Sequence, residues 1–312
     1  MPSSKKTAVF LAGFGGPEKP SEVRPFIERV ARGAKISAER LREVERHYEQ
    51  VGGVSDYNKI TFRQQKALDQ CLKKKGLPVK VFAGFMHSKP GFTEVFSELE
   101  KKGFRRVLIF VLSAFRSYPS FEKYQERLAE AQQSAAAASG GKIEILYANS
   151  FHKDPLFTEA VSQRILEVTK KLSLSEWSKT HYLFTAHSIP LDWAEKSEYA
   201  EEFHESAECV AKKLNLGSWD VAYQSRSGPA EYPWLEPDVN QAIRALPKGK
   251  FTRVVLVPIG FLCDNVEVTY DLDIQAKKTA RASGLHYSRA LTVMDHPVFI
   301  EMIAGLIKTR SA

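Results

Sequence analysis

The sequence predicts an α/β protein of two similar domains, each a four-stranded parallel sheet flanked by helices. Three observations carry that expectation. Apolar, β-rich runs alternate with segments of helical period, the pattern of strands joined by crossover helices. Eight such runs occur, and eight short strands suit two four-stranded sheets better than one wide one. The chain has 312 residues, a length that accommodates two domains at roughly 100 to 200 residues each.

Taken in order, the first strand is the apolar run 8–12, followed by helical periods at 22–32, 38–48 and 62–75 and a second strand at 79–84. Helix 92–102 leads into the third strand, 107–112, one of the two longest apolar runs. Helix 121–133 precedes the fourth strand, 143–147. The stretch 132–141 between them is rich in Ala, Ser and Gly; Ala propagates helix and Gly140-Gly141 stops it, so it reads as a helix end and surface turn. Helix 156–172 then leads to strand 182–185, helix 199–214 to strand 221–224, helix 239–246 to strand 254–259, and helix 266–282 to strand 287–291. A last helix, 297–308, closes back over the first domain. Residues 113–119 break both periods, which places the domain boundary after Ser113: 1–113 with 297–312, and 114–296.

Composition excludes several classes. Hydrophobic residues make up 43% and charged residues 26%, ordinary globular usage that supports a sizeable core. No apolar run approaches the ~20 residues needed to span a bilayer. The basic N-terminus is followed by only a few apolar residues before Gly15-Gly16-Pro17, so it reads as the approach to a buried strand and not as an export signal. Cys71, Cys209 and Cys263 lie too far apart for a disulfide framework or a Cys-x-x-Cys metal site, and a reducing cytoplasm is the expected compartment. The formal charge is +8, but the 45 basic residues are spread along the chain and match no motif of the nucleic-acid readers. No nucleic-acid partner is expected.

Four segments could carry chemistry. Gly13-Phe14-Gly15-Gly16-Pro17 follows the first strand, where a doubly wound sheet faces its binding crevice; its glycines admit either a ligand or a tight turn, and it is no phosphate fingerprint. Ala186-His187-Ser188-Ile189-Pro190 follows an apolar strand. A histidine there can act as base or metal ligand, or be a hydrogen-bonded structural residue. Ser188 lacks the Gly-x-Ser-x-Gly elbow of a serine hydrolase. The third segment runs from Asp264 to Asp273: with helix starting near Val266, Glu267 and Asp271 stand at i and i+4 on one face, either handing a cation along or forming a solvated acidic first turn capped by Asp264 or Asn265. The fourth, from Tyr223 through Gly228-Pro229 to Leu235, is polar and aromatic, the surface a large planar ligand needs or an interface packed by Trp234.

Together and in this order, these segments resemble the ferrochelatases, which insert ferrous iron into a porphyrin to make haem. The resemblance covers essentially the whole chain. It rests on Thr185-Ala186-His187-Ser188-Ile189-Pro190, on Asp264, Glu267, Tyr270 and Asp273 at their spacing, on Pro233-Trp234-Leu235 with Pro237, on Gly52-Gly53 with Ser55, and on Asp295-His296-Pro297. It implies two Rossmann-like, chelatase-type halves with a porphyrin cleft between them. His187 and Glu267 take the family's catalytic positions, facing each other across the cleft, and His187, Glu267 and Asp271 its metal positions. Porphyrin contacts are implied at Phe14, Ser55, Lys59, His87, Ser117, Tyr124, Ser188, Trp234 and Asn265, with Arg32 and Lys59 near the propionates. Three positions depart from the family pattern: Gln275 where an acid is common, Asn265 where many members carry His, and Phe14 where some bacterial members carry Tyr.

The resemblance implies that Fe²⁺ and porphyrin are substrates and that no resident cofactor is present, iron–sulfur cluster included, since no cysteine follows Cys263. It implies a monomer with at most peripheral membrane association. The porphyrin is protoporphyrin IX or coproporphyrin III, because the matches around Gly228-Pro229 and around 52–58 point to different subgroups. A non-catalytic tetrapyrrole-binding protein, a cobalt or nickel chelatase and a nucleotide-sugar transferase share the architecture and are the competing readings.

Overall fold

The computed structural model describes residues 6–32, 37–77, 79–148, 151–227 and 232–311. All eight expected strands form: β1 (Thr7–Gly13), β2 (Lys80–Phe85), β3 (Arg106–Val111), β4 (Glu144–Tyr147), β5 (Thr180–His187), β6 (Trp219–Gln224), β7 (Arg253–Val257) and β8 (His286–Arg289). They make two four-stranded sheets of order β2-β1-β3-β4 and β6-β5-β7-β8, every pairing parallel. The inner strands are buried on both faces: Ala8, Val9, Phe10, Leu11 and Ala12 of β1 are fully buried, as are Val254, Val255 and Leu256 of β7. Continuous apolar runs of this kind are what a parallel sheet covered by helices on both sides requires.

The chain divides into two compact units. Unit 1 comprises Met1–Ser113, Pro119–Ser150 and Asp295–Ala312; unit 2 comprises Ala114–Tyr118 and Phe151–Met294. This corrects the expected assignment of 119–150 to the second domain. The fourth strand decides it: β4 pairs with β3 from Arg106↔Glu144 to Ile109↔Tyr147, so residues 119–148 fold onto the sheet that precedes them. The break in periodicity after Ser113 is real, but only Ala114–Tyr118 leaves unit 1 there.

Each unit has its own core. In unit 1, Phe10 and Phe82 of the sheet pack with Phe92, Phe96 and Leu99 of helix Phe92–Lys101 and with Tyr124 and Leu128 of helix Lys123–Ser139. In unit 2, Leu183, Val254 and Leu256 pack with Val239 and Ile243 and with Val268, Leu272, Ala276 and Ala280. Gly140 ends helix Lys123–Ser139 in the left-handed conformation at φ 72, as the Gly140-Gly141 signal requires.

Helical differences are local. Helix Tyr57–Lys74 starts five residues earlier than its apolar period suggests. The short helices Leu174–Ser178 and Leu191–Ala194 were not anticipated. The segment expected as one helix from Val266 is three pieces: α-helical Val266–Val268, a π-helical stretch Thr269–Ala276, and α-helical Lys277–Ala282.

Candidate active site

In a parallel sheet of order β6-β5-β7-β8 the winding of the chain reverses between β5 and β7, and ligands of such sheets bind at the carboxyl ends of the strands at that point. Both principal candidates meet there. His187 is the last residue of β5, and Glu267 lies in the first turn after the β7 loop. Gly260 makes the approach of the loop possible: a Cβ on it would stand 2.5 Å from Ala186 Cβ and 2.7 Å from Ala186 Cα, closer than real side chains tolerate. The residue before His187 therefore has the β7 loop against its backbone.

The His187 ring is oriented at both nitrogens. Nδ1 is 2.5 Å from the carbonyl oxygen of Ser188, which can only accept, so Nδ1 carries the hydrogen and the neutral ring keeps its lone pair on Nε2. Nε2 stands 3.8 Å from Glu267 Oε1, an ion-pair separation too long for a good hydrogen bond. Burial opposes a charged ring, but the Glu267 carboxylate, the Ser188 carbonyl and Asp271 outweigh it and hold His187 above the usual histidine value. The carbonyl of His187 is itself fixed by Tyr199 Oη, which donates to it at 2.9 Å.

Asn265 is the N-cap of the acidic segment: its Oδ1 accepts the Val268 amide at 2.9 Å, and its carbonyl accepts the Thr269 hydroxyl at 3.0 Å. The capping alternative thus holds for Asn265. One turn past Glu267, Asp271 Oδ2 accepts from Ser225 Oγ at 2.5 Å and from Gln224 Nε2 at 3.4 Å. Burial, with a smaller push from Glu267, raises the Asp271 carboxyl to about 6 against the pull of Ser225. Among the described residues, no three His, Cys, Asp or Glu side chains close into a metal-holding group. His187, Glu267 and Asp271 therefore form a pair and a following carboxylate, with Asp271 turned toward Ser225.

Sequence reasoning missed what holds this segment in place. Arg289, at the end of β8, makes two hydrogen bonds to Asp273, at 2.8 and 2.7 Å, and a third to Asp264 Oδ2 at 3.0 Å. The two acids it grips lie on either side of Glu267 and Asp271. A single charged residue, Arg289, within the predicted strand 287–291 was the available signal.

The two-sheet architecture agrees with what the comparisons find. A family model described as Ferrochelatase matches residues 6–311. The ferrochelatase of Rhodopirellula baltica is 35% identical over 301 residues, covering 96% of this chain and 85% of that protein. The coproporphyrin III ferrochelatase of Mycobacteroides abscessus is 37% identical over 307 residues, covering 96% and 87%. The chain belongs to the ferrochelatase family. It is an enzyme of the lyase class that inserts a metal into a porphyrin. Among solved structures, the sirohydrochlorin chelatase of Bacillus subtilis in complex with cobalt covers 98% of this chain and 95% of its own at a TM-score of 0.60. At 11% identity that likeness shows the chelatase-type fold alone.

The remaining positions that the resemblance implies fall as follows. Within unit 1, Phe14 and His87 lie together, ring centroids 4.6 Å apart. Burial, aided by the positive charges of Lys123, Arg127 and Arg29, pushes His87 down to about 4, so its ring is neutral in the working range. Arg29 also donates to the His87 carbonyl at 3.2 Å. Lys59 is exposed and paired with Asp56 at 2.9 Å. Ser55 is buried, its Oγ accepting the Tyr57 amide at 3.3 Å. Gly15, at φ 94, and Gly16 leave room for Ser88 and Ser55, which a Cβ would meet at 2.7 Å in each case, so the tight-turn reading of that loop holds. Tyr124 belongs to the unit 1 core, 4% exposed and 6.2 Å from Phe92.

In unit 2, the Ser188 hydroxyl donates to the Leu235 carbonyl at 2.8 Å, which ties the Trp234 loop to the His187 segment and leaves no nucleophile. Trp234 pairs with Pro190 in an isolated bridge. Ser117 is buried in unit 2. Gly228 and Pro229 lie outside the described residues. Cys263 is buried. No described helix is long and apolar enough to cross a membrane.

Proposed function

We propose that this ferrochelatase inserts Fe²⁺ into coproporphyrin III, with His187 and Glu267 taking up the pyrrole protons and holding the arriving iron. The observation that carries the reading is the pair itself: a base whose free lone pair and a carboxylate meet 3.8 Å apart at the switch point of one sheet. Insertion exchanges two N–H protons for one divalent ion and transfers no electrons. Nε2 of His187 accepts one proton and the Glu267 carboxylate the other, and both pass on to solvent. The neutral ring and the carboxylate are also borderline and hard ligands suited to ferrous iron. Asp271, one turn on, hands the ion forward and shares it only briefly, since its carboxylate is already engaged by Ser225.

Ser117, Ser188, Trp234 and Asn265 in unit 2, and Phe14, Ser55, Lys59, His87 and Tyr124 in unit 1, are the positions proposed to contact porphyrin. The choice of coproporphyrin over protoporphyrin draws support from the mycobacterial relatives, which carry that substrate in their names. It also draws on Lys123, Arg127 and Arg29 around His87, a cationic setting for the extra propionates. The proposal includes no resident cofactor: the three cysteines fall short of the four thiolates an iron–sulfur cluster takes.

An anaerobic absorbance assay with coproporphyrin III and protoporphyrin IX in parallel tests this, with His187→Ala as control. Faster metallation of coproporphyrin III, abolished in a folded control, is expected. Retained activity in His187→Ala would overturn the assignment of the base, and a preference for protoporphyrin IX the assignment of the substrate. Tight porphyrin binding without metallation would favour a tetrapyrrole carrier.

A further inference from the structure

Helix Tyr199–Leu214 begins with a turn that bonds two separate parts of unit 2. Tyr199 Oη holds the carbonyl of His187 at 2.9 Å. Three residues on, and so on the same face, Glu202 Oε2 accepts the backbone amide of Arg116 at 2.7 Å. Phe203 and Tyr199 pack on Phe115, with ring centroids 5.5 and 6.0 Å away. Glu202 is only 9% exposed, and a buried carboxylate is kept where specific partners hold it. Its second oxygen is 3.3 Å from Nδ1 of His152, whose Nε2 is 3.1 Å from Glu205, which in turn bonds Lys153 at 2.5 Å. The carboxylate is thus anchored from the protein surface inward and spends its inner oxygen on one amide.

That amide belongs to an unusual piece of chain. Ala114–Tyr118 is part of unit 2, while Ser113 before it and Pro119 after it are part of unit 1. Up to Tyr118 it has no regular secondary structure to fix its position. It contains Ser117, one of the positions proposed to contact porphyrin.

We propose that Glu202 is a positioning residue that, through the Arg116 amide, holds Ala114–Tyr118 and its Ser117 in register with His187. The inference rests on the reading that Ser117 meets the porphyrin and His187 takes its proton. One helical turn then sets the spacing between a group that holds the ring and the group that reacts with it. Insertion is sensitive to that spacing, because reacting atoms misplaced by about 1 Å can lose on the order of 100-fold in rate.

The test uses the full chain and three variants: Glu202→Ala, Glu202→Gln, and an ester at the Arg116 amide made by incorporating the α-hydroxy acid of arginine, which deletes the N–H alone. Turnover and both Michaelis constants are measured, with thermal melting as a fold control. Glu202→Ala is expected to raise the KM for porphyrin about tenfold or more with the KM for iron unchanged. Glu202→Gln, whose side-chain oxygen still accepts the amide, should restore most of the loss, and the ester should reproduce it with Glu202 intact. A lowered melting temperature with all kinetic constants unchanged overturns the proposal, as does a change confined to iron, or a Gln variant no better than Ala. If Glu202→Ala does not fold, the ester and Gln variants decide by the same criteria. A native enzyme that metallates no porphyrin would remove the underlying reading; an active one with a dead His187→Ala and silent Glu202 variants would remove this inference alone.

Discussion

At the scale of single residues, Asp271 is shifted against the usual direction for a carboxylate, while His187 is raised as a histidine facing a carboxylate ordinarily is. Asp271 ionises only above about 6, against 3.8 for an ordinary aspartate. To pass iron it must be ionised, so iron-dependent turnover should fall as pH drops through about 6. His187, held above the ordinary 6.5, must be neutral to accept a proton and adds a second loss on acidification, beginning at higher pH. The two titrate as a coupled set, so the acid limb of kcat/KM for iron should be steeper than one ionisation allows. In Asp271→Asn the limb should become that of one group and move to lower pH, because the charge that helps raise His187 is gone. The same substitution should stabilise the enzyme. A carboxyl raised by about two units costs on the order of 3 kcal/mol at pH 7, so removing its charge should raise the melting temperature by about 5 °C or more. A variant that loses iron supply yet melts higher would mark Asp271 as a group kept for function at the expense of stability; a lower melting temperature, or an unchanged acid limb, would contradict that role. His187, Glu267 and Asp271 were legible because polar residues straight after apolar strands stand out, whereas Tyr199, Ser225 and Glu202 act through contacts distant in sequence, which no local pattern encodes.

At the scale of elements, the site depends on how closely two strand ends approach. Gly260 has Ala186 Cβ and Cα within 2.5 and 2.7 Å of where its own Cβ would be, so Gly260→Ala must displace the loop after β7. We expect a loss of about 1 to 3 kcal/mol in stability and a loss of turnover out of proportion to it, since the loop carries Glu267 relative to His187. Adding Ala186→Gly should recover only part, because the Ala186 Cα remains in the way. Turnover that fell no further than the folded fraction would show that the approach is packing alone. Strands were legible at this scale, their observed ends falling within two residues of the apolar runs, because burial on both faces leaves an unbroken apolar signature. The π-helical stretch Thr269–Ala276 was not. It shares side-chain composition with an α-helix and differs in which carbonyl each amide reaches, which leaves no mark on the periodicity. Helices of four or five residues, such as Leu191–Ala194, fall below the window of about 11 residues over which a period can be read.

At the scale of the whole molecule, the two-sheet architecture was legible from the count of apolar runs, while the path of the chain between units was not. Whether residues 119–148 fold forward or backward depends on which edge strand accepts β4, a pairing choice that apolar content alone does not specify. That path makes unit 1 discontinuous, with a consequence for stability. Helix Pro297–Ser311 packs on helix Tyr57–Lys74 and on β3. It buries Phe299, Ile300, Met302, Ile303 and Ile307, none more than 3% exposed, with Phe299 6.4 Å from Phe110 and Arg63 paired to Asp295 at 2.9 Å. At roughly 1.5 to 3 kcal/mol for each large apolar side chain, these five contribute about 10 kcal/mol, comparable to the entire stability of an ordinary domain. A fragment ending at residue 150 should therefore keep helical circular dichroism but lose cooperative melting and slow amide exchange. A circular permutant that places 295–312 ahead of residue 6 and ends at residue 150 should regain both. If the fragment melts cooperatively without the helix, the C-terminal segment is a cover for a sheet that folds by itself and not a part of its core.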